Sequence, residues 1–358
     1  MIAPDAAAVP AAPLVVERLG EGRDLDLEAR WDAFVRHHPD GTFFHLSGWR
    51  RVLQDALGHG TEYLYSRRHG VITGVLPLGH INSWLFGNNL ISIPFGVYGG
   101  VLATDGESQQ VLLAQATALA ERRQVDSLEL RHRRRVCPEW PAKDQLYATF
   151  TKALDPDPEV NLKAIPRKQR AMVRKGIAAG LMADETDDVD LLFRIYAESV
   201  RNLGTPVFPR RYFHALKATF GDACRILVVR HQGSPVAAVM SFYFEDQVLP
   251  YYGGSIPTAR ELKANDFMYW ELMRRAVEEG LGRFDYGRSK VGTGAYSFKK
   301  NWGFEPEPLV YEYHLVKAKA VPEINPLNPK YRVFIAAWKR LPLAISRRLG
   351  PLLARDLG

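Results

Sequence analysis

Cysteine is scarce in this chain: 358 residues contain two, Cys137 and Cys224. No C-x-x-C pair and no Cys/His spacing of a metal site occurs. A disulfide framework and a zinc module are therefore excluded, and two unpaired thiols in a reducing compartment are expected. The ten histidines form no ligand set; His37, His38 and His45 come nearest to one, and no metal is expected. Neither a P-loop nor a G-x-S-x-G elbow is present, which removes two common routes to phosphate and acyl chemistry. Long apolar runs are missing too. The longest, Ile91 to Ala103, is broken by Pro94, Gly96, Gly99 and Gly100 and is too short to span a bilayer. The opening MIAPDAAAVPAAP holds Asp5 and no Lys or Arg, unlike a secretion signal, so a cytoplasmic location is expected.

The chain is also short of net charge outside one segment. Of 47 bases and 40 acids, eight bases and two acids lie after residue 318. That tail carries +6 and the rest only +1. A basic body for nucleic-acid binding is not what the overall +7 describes.

What is present reads as two units. Helical spacing marks Leu27–His37, Ser47–Leu57 and Gln109–Arg122. Strands are expected at Glu62–Arg67, Val71–Ile81, Leu90–Pro94, Val97–Leu102 and Ser127–Leu130, and again at Tyr147–Ala153. Asp155-Pro-Asp-Pro reads as a turn or linker. Beyond it come helices at Arg167–Ala179, Val189–Leu203, Arg210–Phe220 and Ala264–Glu279. Strands alternate with them at Cys224–His231, Val236–Glu245, Gln247–Tyr252 and Phe284–Tyr286, and Leu309–Val316 is expected to close the second sheet.

The segment richest in chemistry is Phe284 to Phe304, FDYGRSKVGTGAYSFKKNWGF. Strand residues run into a loop with Gly287, Gly292 and Gly294, followed by Tyr296, Phe298, Lys299, Lys300 and Trp302. Glycine permits close backbone approach, and Arg288, Lys290, Lys299 and Lys300 have no acidic neighbour after Asp285. Such a loop suits a phosphate- or carboxylate-bearing ligand. A second cluster, Arg167 to Lys175, contains no acid and puts Arg167, Arg170 and Arg174 on one helical face. A phosphate-rich ligand and plain solvation both account for it.

The run Gly294-Ala-Tyr-Ser-Phe-Lys-Lys-Asn-Trp-Gly303 after a Phe-Asp-Tyr-Gly-Arg-Ser strand end resembles the FemAB-like branch of the GNAT acyltransferase superfamily. Within it, the likeness is to FemAB-type proteins associated with exosortase and exopolysaccharide systems. The basic helix from Ile165 to Lys175 and the stretch Trp31 to Trp49 resemble the same family, and the likeness spans roughly Leu14 to Leu315. It implies an α/β (α+β) fold of two tandem GNAT-like domains, each a mixed, mostly antiparallel sheet flanked by helices. The expected division is a disordered tail at 1–13, domains at 14–154 and 155–318, and a basic amphipathic tail at 319–358.

The resemblance also implies an activity. An acyl or aminoacyl group would be transferred to an amine of an envelope or exopolysaccharide precursor, with no tightly bound cofactor. The donor would be an aminoacyl-tRNA. Ordinary GNAT enzymes carry an R/Q-x-x-G-x-G/A loop for the coenzyme A pyrophosphate, and Pro257 to Asp266 has no such pattern. An acyl-CoA-dependent N-acyltransferase is the alternative, and a catalytically silent partner of a membrane polysaccharide system is the third.

In the family pattern Lys299 stands on the donor side of the active centre, where it can stabilise phosphate or oxyanion, and Phe298 stacks on the terminal adenine. Asp285 can accept the amine proton or fix the loop through Arg288. Arg288 and Ser289 are candidates to hold a phosphate or carboxylate of the ligand, Tyr296 is a hydrogen-bonding wall or a packing residue, and Tyr252, at the end of the meander, is a substrate-binding candidate at the pocket mouth or a core or rim residue. In the tail, Val333, Phe334, Ala337, Trp338 and Leu341 make an apolar stripe flanked by Lys330, Arg332, Lys339 and Arg340. It reads as a peripheral membrane contact or as a helix packed on the second domain.

Overall fold

A computed structural model describes residues 13–20, 22–322 and 329–357, with the side chains of 329–332 excepted. The expected tail at 1–13 lies outside them but for Pro13, as do the side chains of Lys330 and Arg332.

Two sheets dominate. The first runs Val15–Arg18, Gly60–Arg68, Val71–Ser83, Gly87–Ser92, Ser127–His132, Val310–Leu315 and Ala142–Lys143, with Leu102–Ala103 paired beside Val71–Ser83. The second runs Met182–Thr186, Cys224–His231, Ser234–Phe244, Gln247–Ser255, Arg283–Asp285 and Thr151–Ala153. Both are antiparallel except at one place. In the first, Gly87–Ser92 lies parallel to Ser127–His132; in the second, Gln247–Ser255 lies parallel to Arg283–Asp285. Parallel neighbours need a crossover. Helix Gly106–Arg122 supplies the first and Ala264–Glu278 the second. The shared strand–helix–parallel strand unit makes the two halves a tandem repeat of one GNAT-like α/β architecture.

The crossover helices form where the sequence pattern places them. Leu112, Ala116, Leu119 and Ala120 are buried on one side of Gly106–Arg122, and the Asp105 side chain caps its start by accepting from the Ser108 amide.

The halves exchange strands, which the sequence reading did not foresee. Val310–Leu315, expected in the second sheet, pairs with Ser127–His132 in the first. There Tyr311 and Tyr313 enter the buried core, and the fully buried Glu312 accepts from the Val136 and Cys137 amides. Only the first half offers those donors. The single strand expected at Tyr147–Ala153 is two. Tyr147–Thr149 centres a small sheet with Ser289–Lys290 and Glu307–Pro308, whereas Thr151–Ala153 edges the second large sheet. Phe150, fully buried, sits at the break. A cut at residue 154 therefore separates neither sheet.

One further reading is corrected and two elements are added. The turn expected at Asp155-Pro-Asp-Pro is present, and Asp157 within it caps a short helix, Pro158–Ala164. Met182–Thr186 is an additional edge strand. The Lys299 segment is no loop but the helix Gly294–Asn301, started by Thr293, whose hydroxyl accepts from the Tyr296 amide.

One aromatic core joins the halves. Phe43 and Phe242 stack at 4.3 Å, Phe44 meets Tyr251 at 5.1 Å, and Phe95 meets Tyr212 at 6.4 Å. Among the described residues no helix is long and apolar enough to cross a membrane, and no group of acidic, His and Cys side chains is arranged to hold a metal.

Candidate functional site

The two parallel crossover strands end face to face. Ser127–His132 leads into Arg133, and Arg283–Asp285 leads into Tyr286, Gly287 and Arg288. The segment from Ile93 to Gly100 lies between them. Ile93 and Phe95 hold positive φ angles of 50° and 67°, a costly conformation for a β-branched or bulky residue. Packing and hydrogen bonds fix it there. Arg131, itself buried, donates to the Gly96 carbonyl at 2.8 Å, and Tyr251 donates to the Phe95 carbonyl at 2.6 Å. A Cβ on Gly100 would stand 1.9 Å from the His132 ring, so only glycine fits. This path delivers Tyr98 to the end of the opposite half's strand.

Asp285 is the centre of what meets there. Its carboxylate accepts from the Tyr98 hydroxyl at 3.0 Å and from the Gly287 amide at 2.6 Å. Gly287, at φ 64°, supplies the turn that aims this amide back. The Arg133 guanidinium stands 3.8 Å from the carboxylate and 4.2 Å from the Tyr98 ring centroid. Thr149 is hydrogen-bonded to the same Tyr98 hydroxyl. Asp285 is 1% exposed. Burial pushes its carboxyl above the ordinary value, against Arg133, the Gly287 amide and Tyr98. Burial likewise drives Tyr98 well above the usual tyrosine range. The arrangement is a buried carboxylate with raised proton affinity, linked through a tyrosine to a threonine and covered by a half-exposed arginine. It can take up a proton and place a cation above the same point.

The expected place of Lys299 is revised. Its ammonium donates to the carbonyls of Tyr286 at 2.7 Å, Gly287 at 3.0 Å and Arg288 at 3.1 Å. All three protons are spent on the turn that follows Asp285, and none faces outward. Burial pulls its ammonium down to about 7, opposed by Asp285. Here Lys299 holds the turn in shape. Arg288 is directed inward as well, donating to the Tyr311 hydroxyl at 3.0 Å and stacking 4.5 Å over Tyr147, away from the Asp285 carboxylate it was expected to pair with. Within this segment, Tyr286 Oη and Ser289 Oγ are buried and have no hydrogen-bond partner among the described residues. Buried hydroxyls left unsatisfied are uncommon and call for an explanation.

The other expected site residues separate. Phe298 is half-buried against Tyr269 and Trp302, at 5.7 and 6.1 Å. Tyr296 is half-buried edge-on to Phe150. For Tyr252 the substrate-binding reading is corrected and the core alternative holds: it is 4% exposed, hydrogen-bonded to the Tyr212 hydroxyl at 2.8 Å and enclosed by Tyr196, Phe208 and Phe213. It is core, with no reach to a pocket mouth. On helix Arg167–Ala178, Arg167 and Arg174 are exposed, while Arg170 donates to the Lys163 carbonyl. The helix buries Gln169, Val173 and Gly176. Its start adjoins the end of the Lys299 helix, for a Cβ on Gly303 would lie 3.1 Å from the Pro166 ring.

Sequence reasoning missed Tyr98, Arg133 and Thr149. Arg133 was visible only as part of an arginine run, and Tyr98 only as part of a glycine-broken strand; neither pattern shows that the two ends converge. Beside them lies a cavity of about 80 Å³ lined by Thr42, His45, Tyr98, Gly100, His132 and Arg133. His45 is held neutral: burial lowers it to about 3, and its ring meets the Thr42 hydroxyl and the Gly100 carbonyl. His132 Nδ1 donates to Glu312 at 2.9 Å while Nε2 accepts from the Val101 amide at 3.1 Å. Neither histidine has a nitrogen free for chemistry. Asp40 and Arg134 border both this cavity and an open groove of about 730 Å³ along the first half, lined also by Phe34, His38 and Ile72.

The helix starts that could receive a pyrophosphate carry carboxylates. Asp105 and Glu107 stand at the first crossover helix. Asp266 stands in the first turn of the second, accepting from Trp302 Nε1 at 3.1 Å and Gln169 Nε2 at 3.3 Å.

Residues 162–300 match the acetyltransferase (GNAT) domain family. Among curated proteins, none matches the chain. Solved structures share its fold. FemX superposes with a TM-score of 0.66 at 15% identity, covering 89% of this chain and all of that one. A tandem GNAT protein from the clavulanic acid biosynthesis pathway gives 0.53 at 15%, over 87% of this chain and 100% of that one. The C-terminal domain of a putative lysylphosphatidylglycerol synthetase from Agrobacterium fabrum gives 0.54 at 13%, over 80% and 91%. At these identities the likeness is one of fold.

Proposed function

We propose that the chain is an acyltransferase that joins an activated acyl or aminoacyl group to an amine at the meeting point of its two halves. The observation that carries this reading is the buried Tyr98–Asp285 pair, covered by the half-exposed Arg133, at the ends of both crossover strands. The amine nitrogen attacks the ester carbonyl of the donor. Asp285, with its raised proton affinity, accepts the amine proton, directly or through Tyr98. The carbon–oxygen bond to the donor then breaks and the proton passes to the departing hydroxyl. Arg133 is the cation best placed to meet negative charge at the carbonyl oxygen. Lys299 acts through the turn it holds and is a positioning residue. Ser289 Oγ supplies a hydroxyl for a ligand entering beside that turn.

The donor we infer is an aminoacyl-tRNA. Carboxylates at both crossover helix starts oppose a pyrophosphate, whereas Arg167, Lys168 and Arg174 are exposed on the helix beside the Lys299 helix. These cations suit a nucleic-acid backbone. The acceptor would reach Arg133 along the groove of the first half, past Asp40 and Arg134; an envelope or exopolysaccharide precursor is the class the family resemblance supplies. An acyl-CoA donor is the second reading, favoured by the acetyltransferase family match over residues 162–300.

Filter binding of a labelled aminoacyl-tRNA pool, beside equilibrium dialysis of acetyl-CoA, separates the two. Retention of charged tRNA that falls as salt rises supports the proposal. Binding of acetyl-CoA alone transfers the same site to the second reading, and binding of neither defeats both.

A further inference from the structure

The helix Leu343–Ala354 is packed the wrong way round for a globular protein. Its buried positions are Ser346, Gly350 and Ala354, one turn apart. Gly350 sits so close to Val207 that a Cβ would stand 2.9 Å from its backbone nitrogen. The opposite face carries Ile345, Leu349 and Leu352, exposed at 44%, 44% and 65%, with the exposed Arg348 and Arg355 among them. An ordinary surface helix does the reverse and turns its large aliphatics inward.

A second element, distant in sequence, meets this helix. The hairpin tip between Val71–Ser83 and Gly87–Ser92 holds Trp84 and Leu85, exposed at 99% and 57%. Ser83 Oγ donates to Asp356 at 2.9 Å, and the His59 ring meets the Arg355 carbonyl at 2.6 Å. The tip is thus tied to the end of the helix. The preceding helix, Pro329–Lys339, buries Trp338 but leaves Val333 and Phe334 exposed, and Lys339 and Arg340 follow in solvent.

We infer that the outer face of Leu343–Ala354 and the Trp84–Leu85 tip form one docking surface for an anionic lipid bilayer. Exposed aliphatics carried among arginines, with a tryptophan at the rim, match an interface of acyl chains below anionic headgroups. The helix is far shorter than a span, so it lies in the interface plane. A second copy of this chain fits less well, because Arg348 and Arg355 would face their own counterparts across a two-fold contact.

The test is co-sedimentation of the full chain with phosphatidylcholine vesicles with and without phosphatidylglycerol. Three variants are compared: Trp84→Ser/Leu85→Ser, Leu349→Gln/Leu352→Gln and Arg348→Gln. Circular dichroism and light scattering monitor fold and oligomeric state. The expected result is binding to the anionic vesicles only. Each apolar double variant should weaken it about tenfold or more, and Arg348→Gln about fivefold, the equivalent of about 1 kcal/mol for one cation at such a surface. The inference is overturned if the folded wild-type chain does not sediment, or if the variants sediment equally. It is also overturned if the chain is a dimer that these substitutions split and that ignores vesicles.

Discussion

At the residue scale the account rests on Asp285, and two neighbours give it direction. Asp285→Asn keeps the size and most hydrogen bonds but cannot accept the amine proton. Transfer should fall on the order of 10² to 10⁴, and the acidic limb of the rate–pH profile that reports Asp285 should vanish. Steady-state rates across pH, with circular dichroism as the folding control, check this. Lys299 makes a different prediction. Lys299→Met leaves three carbonyls of the turn without their donor and should destabilise the protein by roughly 2 to 4 kcal/mol. A pH signature accompanies the loss. Below about pH 7 both the folded and unfolded chains hold this lysine charged; above it the folded protein sheds the proton while the unfolded chain keeps it to its ordinary value. The wild-type protein should therefore gain stability relative to Lys299→Met as pH rises from 7 toward 9.5, by at most roughly 1.4 kcal/mol per unit. Denaturant midpoints at four pH values measure it, and a flat difference would remove the depressed lysine. The sequence pattern marked both residues, but it set Lys299 toward the donor. Spacing along a chain does not show that three carbonyls close around an ammonium.

At the scale of elements, local chemistry was largely legible. The crossover helix Gly106–Arg122 follows from its apolar spacing and the Asp105 cap. The strands Gly60–Arg68 and Val71–Ser83 follow from their alternating runs, with the turn at His69–Gly70 between them where Gly70 takes a positive φ of 79°. What stayed hidden were features that depend on partners distant in sequence. Glycine-rich Val97–Leu102 reads as a strand, yet only Leu102 joins the sheet: the Gly99 and Gly100 amides donate to the Arg131 carbonyl and the Tyr311 hydroxyl donates to the Val97 carbonyl. The Lys299 segment reads as loop because its glycines outweigh the Thr293 cap. The basic helix Arg167–Ala178 carries the prediction of this scale. Arg167→Gln and Arg174→Gln together remove two exposed cations from the face beside the Lys299 helix. Binding of aminoacyl-tRNA should weaken, and the slope of log affinity against log salt should become shallower by about one to two. Filter binding at four salt concentrations tests this; an unchanged slope would leave the helix a solvated surface.

For the whole molecule, the strand exchange matters most. Val310–Leu315 completes the first sheet and Thr151–Ala153 the second, while Phe43, Phe44, Phe242 and Tyr251 pack across the boundary. Two halves so interlocked should unfold together. Calorimetry should show one transition, and Phe43→Ala should lower its midpoint as a unit, at a cost of about 3 to 5 kcal/mol; two separated transitions would show the halves to be independent. The exchange also explains why the repeat was legible and the site was not. Each half's order of helices and strands can be read locally, but Tyr98, Thr149 and Asp285 come together only after the strands have crossed. The most direct measurement is single-turnover amide formation from a labelled aminoacyl-tRNA pool onto a panel of soluble amines, comparing wild-type, Tyr98→Phe and Asp285→Asn proteins. The account predicts product with the wild-type chain, less with Tyr98→Phe, and a loss of about a hundredfold or more with Asp285→Asn. Undiminished transfer by a folded Asp285→Asn protein would contradict it.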